Sequence, residues 1–338
     1  MYALYTDDSI LAGPDKGEVD EIISQLKQAK LDITDEGNIE DFLGVNIDRR
    51  SDGSVKLSQP HLIKQISNDL KVDCQSLNMK DIPAASSNIL SKHPNSKPFD
   101  DSFHYRSVIG KLNYLEKCTR PDISYATHQC ARFTADPKVE HGKAVRWLVR
   151  YLKGTMSKGL ILIPNKDLDL QMYVDADFAG NWKKSESNDC DTARSRHGYV
   201  VMFHGCPLLW KSQLQTESAL SSTESEYIGL SSGLRDVIPI MNTLKEMSIY
   251  GVPIARSTSE IFCRVFEDNS GALEMAKVHK YRPRTKHINV KYHHFRDFVT
   301  HGEITLHAVG TKEQPADMLT KPVNHTTLTN HQKTIMGW

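Results

Sequence analysis

The chain lacks the sequence features that mark three common classes of protein. Its six cysteines are scattered without a Cys-x-x-Cys pair, which argues against a zinc ribbon and fits free thiols in a reducing compartment. No stretch approaches the ~20 apolar residues that a membrane-spanning helix needs. Residues 1–11 have neither the basic start nor the long apolar core of a signal peptide. We therefore expect an intracellular protein with no membrane partner.

An excess of charge of either sign is also missing. The 42 lysines and arginines balance the 42 aspartates and glutamates, so the formal net charge is zero. The overall charge therefore does not indicate a nucleic-acid partner, and any such signal must be local. With 338 residues, 39% of them hydrophobic and 25% charged, the chain has the composition of a globular protein of about two or three domains.

The predicted elements change in kind near the middle of the chain. The first half contains two hairpin patterns, over residues 1–12 and 42–57. Residues 81–103 are rich in Pro, Ser, Asn and Lys, which indicates a linker or long surface loop, and residues 105–155 are predicted to be mostly helical. The second half begins with a meander of strands and then alternates strands with helices. A helix is predicted from Ser222, and Pro239 is expected to kink or end it. This order predicts a mixed sheet covered by helices.

Four acidic residues of the second half occupy positions where a carboxylate is unusual without a specific role. Asp175 and Asp268 end apolar strand-like runs, Glu226 lies in the first turn of a predicted helix, and Asp317 follows a loop. Strand ends and helix starts can bring such groups to one place, where bare carboxylates repel one another unless cations neutralise them. Two Mg²⁺ ions held by carboxylates can activate water and stabilise the leaving oxygen in phosphodiester cleavage. The pattern therefore predicts a metal-dependent nuclease.

Each of the aspartates also has a simpler interpretation. Asp175 could cap a turn, and Asp268 and Asp317 could cap the helices that follow them. Asp177 lies two positions beyond Asp175, which favours a place in the loop or outside the inner ligand set. The sequence leaves both interpretations open.

Two glutamates compete for the remaining ligand position. Ser221-x-x-Glu224 has the pattern of a capping box, which would give Glu224 a structural role, but Thr223-x-x-Glu226 fits the same template. Glu226 lies one turn before Leu230 and so borders the apolar face of the predicted helix. That position favours Glu226 as the ligand.

Short motifs along the chain occur in the order of a known family. Those of the second half resemble the ribonuclease H domain of Ty1/copia-type retrotransposon polyproteins: residues 175–180, 210–212, 221–227, 268–269, 285–288 and 316–322. Those of the first half are similar to the end of that family's reverse transcriptase: residues 5–8, 42–44, 105–107, 119–123 and 150–154. The resemblance covers nearly the whole chain, and a chain that opens inside a folding element is expected to be a fragment.

The resemblance implies a fold and a domain order. We expect an α/β (α+β) chain with a ribonuclease H-like mixed five-stranded sheet and flanking helices over residues 166–325. A reverse-transcriptase remnant, the end of the palm and the thumb, would occupy residues 1–80. A linker and helical connection region would follow over residues 81–165, and residues 326–338 would form a C-terminal tail.

The resemblance also implies an activity and its residues. Asp175, Glu226, Asp268 and Asp317 match the four catalytic, metal-binding acids of the family. They would bind two Mg²⁺ ions, for which Mn²⁺ could substitute, and hydrolyse the RNA strand of an RNA–DNA hybrid in a cytoplasmic particle or the nucleus. Some related enzymes carry a histidine in the loop before the last aspartate. Residues 310–315 contain none, and His307 on the preceding strand is expected to have no catalytic role.

Two further sets of charged residues bear on nucleic-acid binding. A basic run between residues 277 and 296, which includes Lys280, Arg282, Arg284 and Lys286, could follow the phosphates of a duplex, although a solvated helix face would look the same. Histidines near that run invite a zinc interpretation, but they have no cysteine partner at a suitable spacing. Asp7 and Asp8 match two of the polymerase carboxylates. Because the third lies upstream in this family, polymerase activity from this chain alone is not expected.

Two other functions compete with the ribonuclease. The chain could be an inactive remnant of a retroelement that only binds nucleic acid. It could also be a sugar-nucleotide transferase that uses Asp175-Ala176-Asp177 as a metal-binding motif, although that motif is short and common.

Overall fold

The computed structural model describes residues 1–71, 79–85, 89–167, 169–254, 261–277 and 294–338, and its first half contains two small antiparallel sheets. Strand β1 (Tyr2–Tyr5) pairs with β2 (Asp8–Leu11), and helix α1 (Lys16–Gln28) follows. A four-stranded sheet contains β3 (Asp41–Phe42), β4 (Val45–Arg49), β5 (Val55–Ser58) and β6 (Leu160–Leu162). Both predicted hairpins are confirmed. Gly53 lies between β4 and β5 with a φ of +83°, which glycine adopts without strain.

A helical region packs beside the four-stranded sheet. Its helices are α2 (Pro60–Asp69), α3 (Tyr105–Cys118), α4 (Ser124–Ala131) and α5 (Val139–Gly154). Proline at position 121 begins a short 3₁₀ turn between α3 and α4, as its missing N–H and fixed φ allow at the start of a helical turn. The apolar faces of these helices meet in one buried core.

A buried ion pair joins this helical region to the C-terminus of the chain. The guanidinium of Arg120 donates to both carboxylate oxygens of Asp122, at 2.9 and 2.8 Å, and both side chains are fully buried. The hydroxyl of Tyr151 and the amide of Gln332 also donate to Asp122. Because every contact uses the same carboxylate, Asp122 holds together segments that are more than 200 residues apart.

The second half of the chain is built around a five-stranded mixed sheet. Its strands are β7 (Leu170–Asp177), β8 (Arg196–Phe203), β9 (Cys206–Leu214), β10 (Cys263–Glu267) and β11 (Ile304–Ala308). They stand in the order β11-β10-β7-β8-β9. β7, β8 and β9 are antiparallel neighbours, whereas β10 runs parallel to both β7 and β11. The predicted five-stranded mixed sheet with flanking helices is confirmed.

Helix α6 (Ser222–Ile249) packs on one face of this sheet. Glycines permit the close approach, since a Cβ on Gly233 would stand only 2.5 Å from the sulfur of Met172. The helix does not end at Pro239. That residue lies on the exposed side of α6, where the carbonyl that loses its hydrogen bond can face solvent.

The other face of the sheet packs against the helical region. Val200, Met202 and Trp210 belong to the same buried core as α3 and α5, and the indole N–H of Trp210 donates to the carbonyl of Glu116 at 2.8 Å. Among the described residues, the other helices are α7 (Ser270–Lys277), α8 (Arg296–Thr300), α9 (Asp317–Thr320) and α10 (His325–Met336). Most of the segment expected as a C-terminal tail is therefore helix α10, whose apolar residues are buried in that core.

Within the described ranges, no helix has both the length and the apolar character that crossing a bilayer requires.

Replacing the carboxylate at the centre of the buried ion pair should strongly destabilise the protein. Asp122→Ala leaves the buried guanidinium of Arg120 unpaired, so we expect a loss of about 3–5 kcal/mol in the free energy of unfolding. Chemical denaturation followed by circular dichroism measures this change. Asp136→Ala is the matched control, because its exposed carboxylate pairs with Lys138 at 2.9 Å and should contribute less than about 1 kcal/mol. Equal losses for the two variants would contradict the role of Asp122.

Candidate metal and catalytic site

Three carboxylates converge at one edge of the five-stranded sheet. β7 and β10 run parallel, so their carboxyl ends, which carry Asp175 and Asp268, lie at the same edge. Glu226 comes from the start of α6, which packs over that edge. One carboxylate oxygen of each residue lies within 4.8 Å of one oxygen of each of the other two. The structure therefore brings together three of the four acids predicted from the sequence as metal ligands.

Burial and mutual repulsion disfavour the charged forms of these acids. Glu226 is 6% exposed, and its Oε2 has no hydrogen-bond partner among the described residues. Burial, followed by the charges of Glu267 and Asp175, raises the pKa of Glu226 to about 11. Burial also raises the pKa of Asp175 to about 6, an effect that Lys321 partly offsets. A bound cation would favour the charged carboxylates and so oppose both shifts.

Asp317 lies near Asp175 but is not one of the group of three. It begins α9 and is 6% exposed, and its Oδ1 lies 2.8 Å from the ammonium of Lys321. The same ammonium lies 3.7 Å from Oδ2 of Asp175, which also accepts a hydrogen bond from the hydroxyl of Thr320. Burial raises the pKa of Asp317, and Lys321 opposes the rise. The fourth predicted acid is thus joined to the others through a lysine.

Two charged residues of this site were not identified from the sequence. Glu267 is completely buried at the end of β10, where its Oε1 accepts from the N–H of Asn269 at 3.0 Å. Burial raises the pKa of Glu267 well above its usual range. The alternation Cys263, Val265, Glu267 would have placed it on the buried face of the strand. Lys321, four residues after Asp317, is within reach of that acid on a helical turn.

The rival of Glu226 has a structural role at the start of α6. The hydroxyl of Ser221 accepts from the N–H of Glu224 at 3.2 Å, and the carboxylate of Glu224 accepts from the N–H of Leu220 at 2.8 Å. Glu224 is half-buried and caps the helix, whereas Glu226 lies in the acidic group, so the two glutamates have different roles.

The other candidates from the sequence lie elsewhere. Asp7 and Asp8 are exposed in the β1–β2 hairpin. His307 is exposed on β11 and contacts the hydroxyl of Thr305 at 2.9 Å. Asp177 ends β7, and its carboxylate packs so closely on Gly180 that no Cβ would fit there. The four basic residues predicted to bind nucleic acid lie outside the described residues: Lys280, Arg282, Arg284 and Lys286.

The donor set at the sheet edge fits a hard divalent cation. Carboxylate oxygens are the ligands that Mg²⁺ and Mn²⁺ prefer, and Oε2 of Glu226 has no hydrogen-bond partner in the part of the chain that the structure describes. A second group, Asp189, Cys190 and Asp191, fits less well, because Lys92 pairs with the first of these aspartates and Arg194 with the second. Asp175, Glu226 and Asp268 are therefore the better candidate metal site.

Comparison with known proteins gives relatives over nearly the whole chain. It is 33% identical over 331 residues to the retrovirus-related Pol polyprotein from transposon TNT 1-94 of Nicotiana tabacum, a match that covers 95% of this chain and 23% of that protein. It is 33% identical over 329 residues to the corresponding polyprotein from transposon RE1 of Arabidopsis thaliana, covering 97% of this chain and 21% of the relative. The chain thus spans less than a quarter of these curated relatives. No family model matches it.

A solved structure with partial similarity is the N-terminal RNase H domain of rv2228c from Mycobacterium tuberculosis. It is 15% identical, with a TM-score of 0.28, and the match covers 49% of this chain and 98% of that one.

The buried acids predict a pH-dependent stability in the absence of divalent cations. The pKa of Glu267 is higher in the folded than in the unfolded chain, so its contribution is fully present below about pH 4 and is lost as the pH rises. Glutamine stays neutral and can still accept the hydrogen bond from Asn269. In chelator at pH 8 we expect Glu267→Gln to raise the free energy of unfolding by about 1–3 kcal/mol, with no gain at pH 4.

Urea denaturation at pH 4, 6 and 8 measures this difference. Glu224→Gln is the control, since it changes a half-buried glutamate that caps α6 near the same site and keeps the acceptor for the N–H of Leu220, and it should give no gain that grows with pH. If Glu267→Gln gave the same small effect at all three pH values, Glu267 would not be a source of electrostatic strain.

Proposed function

Because the chain belongs to the family of Ty1/copia-type retrotransposon Pol polyproteins, we propose that its second half is a ribonuclease H that hydrolyses the RNA strand of RNA–DNA hybrids. The observation that carries the proposal is the convergence of Asp175, Glu226 and Asp268 on a ribonuclease H-like sheet, with a buried oxygen of Glu226 left without a partner. An arrangement so unfavourable without a cation is typical of a metal-dependent active site.

The proposed role of the protein in the reaction is to hold carboxylates, and the divalent cations that they bind, in fixed positions. Asp175, Glu226 and Asp268 would bind one divalent cation, and Asp175 with Asp317 a second. Divalent cations such as Mg²⁺ or Mn²⁺, when bound in a pair by carboxylates, supply activation of water and stabilisation of the leaving oxygen. The hydroxyl of Thr320 orients Asp175 by donating to its Oδ2. Burial of the carboxylates keeps competing water away from them and strengthens their interaction with charge.

The proposed reaction adds water across one phosphodiester bond of the RNA. The water oxygen bonds to phosphorus and the bond to the 3′ oxygen breaks, which leaves a 5′-phosphate and a 3′-hydroxyl. A hybrid differs from DNA in its 2′-hydroxyls and groove shape, so recognition would depend on sugar and phosphate contacts. The basic residues at 280, 282, 284 and 286 are the proposed phosphate contacts.

The first half of the chain has a different proposed origin. We assign residues 1–80 to the end of a reverse-transcriptase palm and thumb and residues 81–165 to its connection region. Asp7 and Asp8 stand in an exposed hairpin, as polymerase carboxylates would, but they are only two of the three that the family uses. This part of the chain is therefore not proposed to polymerise by itself.

Substitution of single ligands should abolish hybrid cleavage. We expect Asp175→Asn and Glu226→Gln each to slow cleavage by at least about a hundredfold, since loss of even an outer-shell partner of a metal costs 10–100-fold. The assay follows an end-labelled RNA strand in a hybrid with Mg²⁺ and separates the products on a denaturing gel.

Glu224→Gln is the matched control and should cleave at the unaltered rate, because this residue caps α6 outside the cluster. Unchanged cleavage by Asp175→Asn would contradict the assignment. Binding of the hybrid without cleavage by the unaltered protein would favour the inactive remnant that only binds nucleic acid.

A further inference from the structure

Lys321 stands between two of the carboxylates of the proposed site. Its ammonium lies 2.8 Å from Oδ1 of Asp317 and 3.7 Å from Oδ2 of Asp175, and its side chain is about one-third exposed. Both acids are more than 90% buried. The lysine therefore supplies a positive charge in the space that these two acids share.

Glu226 and Asp268 have no ion-pair partner of this kind. Among the described residues, no lysine, arginine or histidine lies at ion-pair distance from either carboxylate, and Lys321 is ion-paired with Asp175 and Asp317. The acids of the site thus differ in one physical respect, since an ammonium contacts Asp175 and Asp317 but forms no ion pair with Glu226 or Asp268.

We propose that Lys321 is a built-in counter-ion, which a divalent cation must displace to bind between Asp175 and Asp317. A cation that binds among Asp175, Glu226 and Asp268 finds two carboxylates, Glu226 and Asp268, that no ammonium of the described residues contacts. The first cation therefore binds more tightly than the second, and the lysine sets the difference. This inference rests on the proposed ribonuclease function, because it assumes that divalent cations bind to the cluster.

The physical basis is competition for the same two oxygens. An ammonium 2.8 Å from Oδ1 of Asp317 repels an incoming cation and stands where that cation would have to bind. Lys321 extends towards solvent over part of its length, so it can leave without unfolding α9 or α10. Lys321 would then act as a positioning residue that controls when the second cation enters.

Isothermal titration calorimetry with MnCl₂, on the full chain and without nucleic acid, tests the inference. The unaltered protein should show one tighter and one weaker binding step. In Lys321→Met the weaker step should become at least about tenfold tighter, since a unit charge within a few ångströms of the ion is removed. The tighter step should change less. Lys321→Arg retains the charge and should keep the second step weak.

Controls separate this inference from the proposed function. Lys312→Met removes an exposed lysine from the turn before α9 and should leave both binding steps unchanged. If Lys321→Met does not fold, as judged by circular dichroism, Lys321→Gln provides the same comparison. Two unaltered steps in the folded variant would overturn the role of Lys321 but not the hydrolase. If neither the unaltered protein nor any variant binds Mn²⁺, both the role of Lys321 and the proposed ribonuclease function are overturned.

Discussion

The cost of charging carboxylates that are buried close together is the constraint on which the second half of this protein depends. Asp175, Glu226 and Glu267 are each charged only at a cost in a dry environment, and the charges of neighbouring acids add to that cost. Parallel pairing of β7 with β10 and the glycine-mediated contact of α6 with β7 keep these acids close together. The sheet therefore holds the acids in place, and the energy stored there is available for binding cations.

The fold and most of the site could be predicted from particular residues. Apolar runs that end in Asp175 and Asp268 identified two strand ends, and the position of Glu226 beside the apolar face of α6 distinguished it from Glu224. Glu267 was missed because the adjacent alternation of Phe262, Arg264 and Phe266 drew attention to the opposite face of β10. Lys321 was missed because a lysine after a short helix is common on protein surfaces. Its importance depends on the distance to Asp175, which local sequence does not encode.

Other differences arise from tertiary packing. A proline inside a helix usually marks its end, yet α6 continues because Pro239 faces solvent and the core on the opposite side of the helix holds it together. The final segment has the polar composition of a tail, with few apolar residues. Leu328, Ile335 and Met336 nevertheless share one side of α10 and are buried, and Gln332 on the same helix reaches the ion pair of Arg120 and Asp122.

The core shared by the two halves has a consequence for how such elements evolve. One face of the five-stranded sheet is covered by α3, α5 and α10 rather than by water, and Trp210 is hydrogen-bonded to the backbone of α3. A recombination event that joined this sheet to a different first half would leave that apolar face bare and Trp210 without its acceptor. Selection would then favour inheritance of the two regions as one block, with exchange of segments confined to the ends of that block.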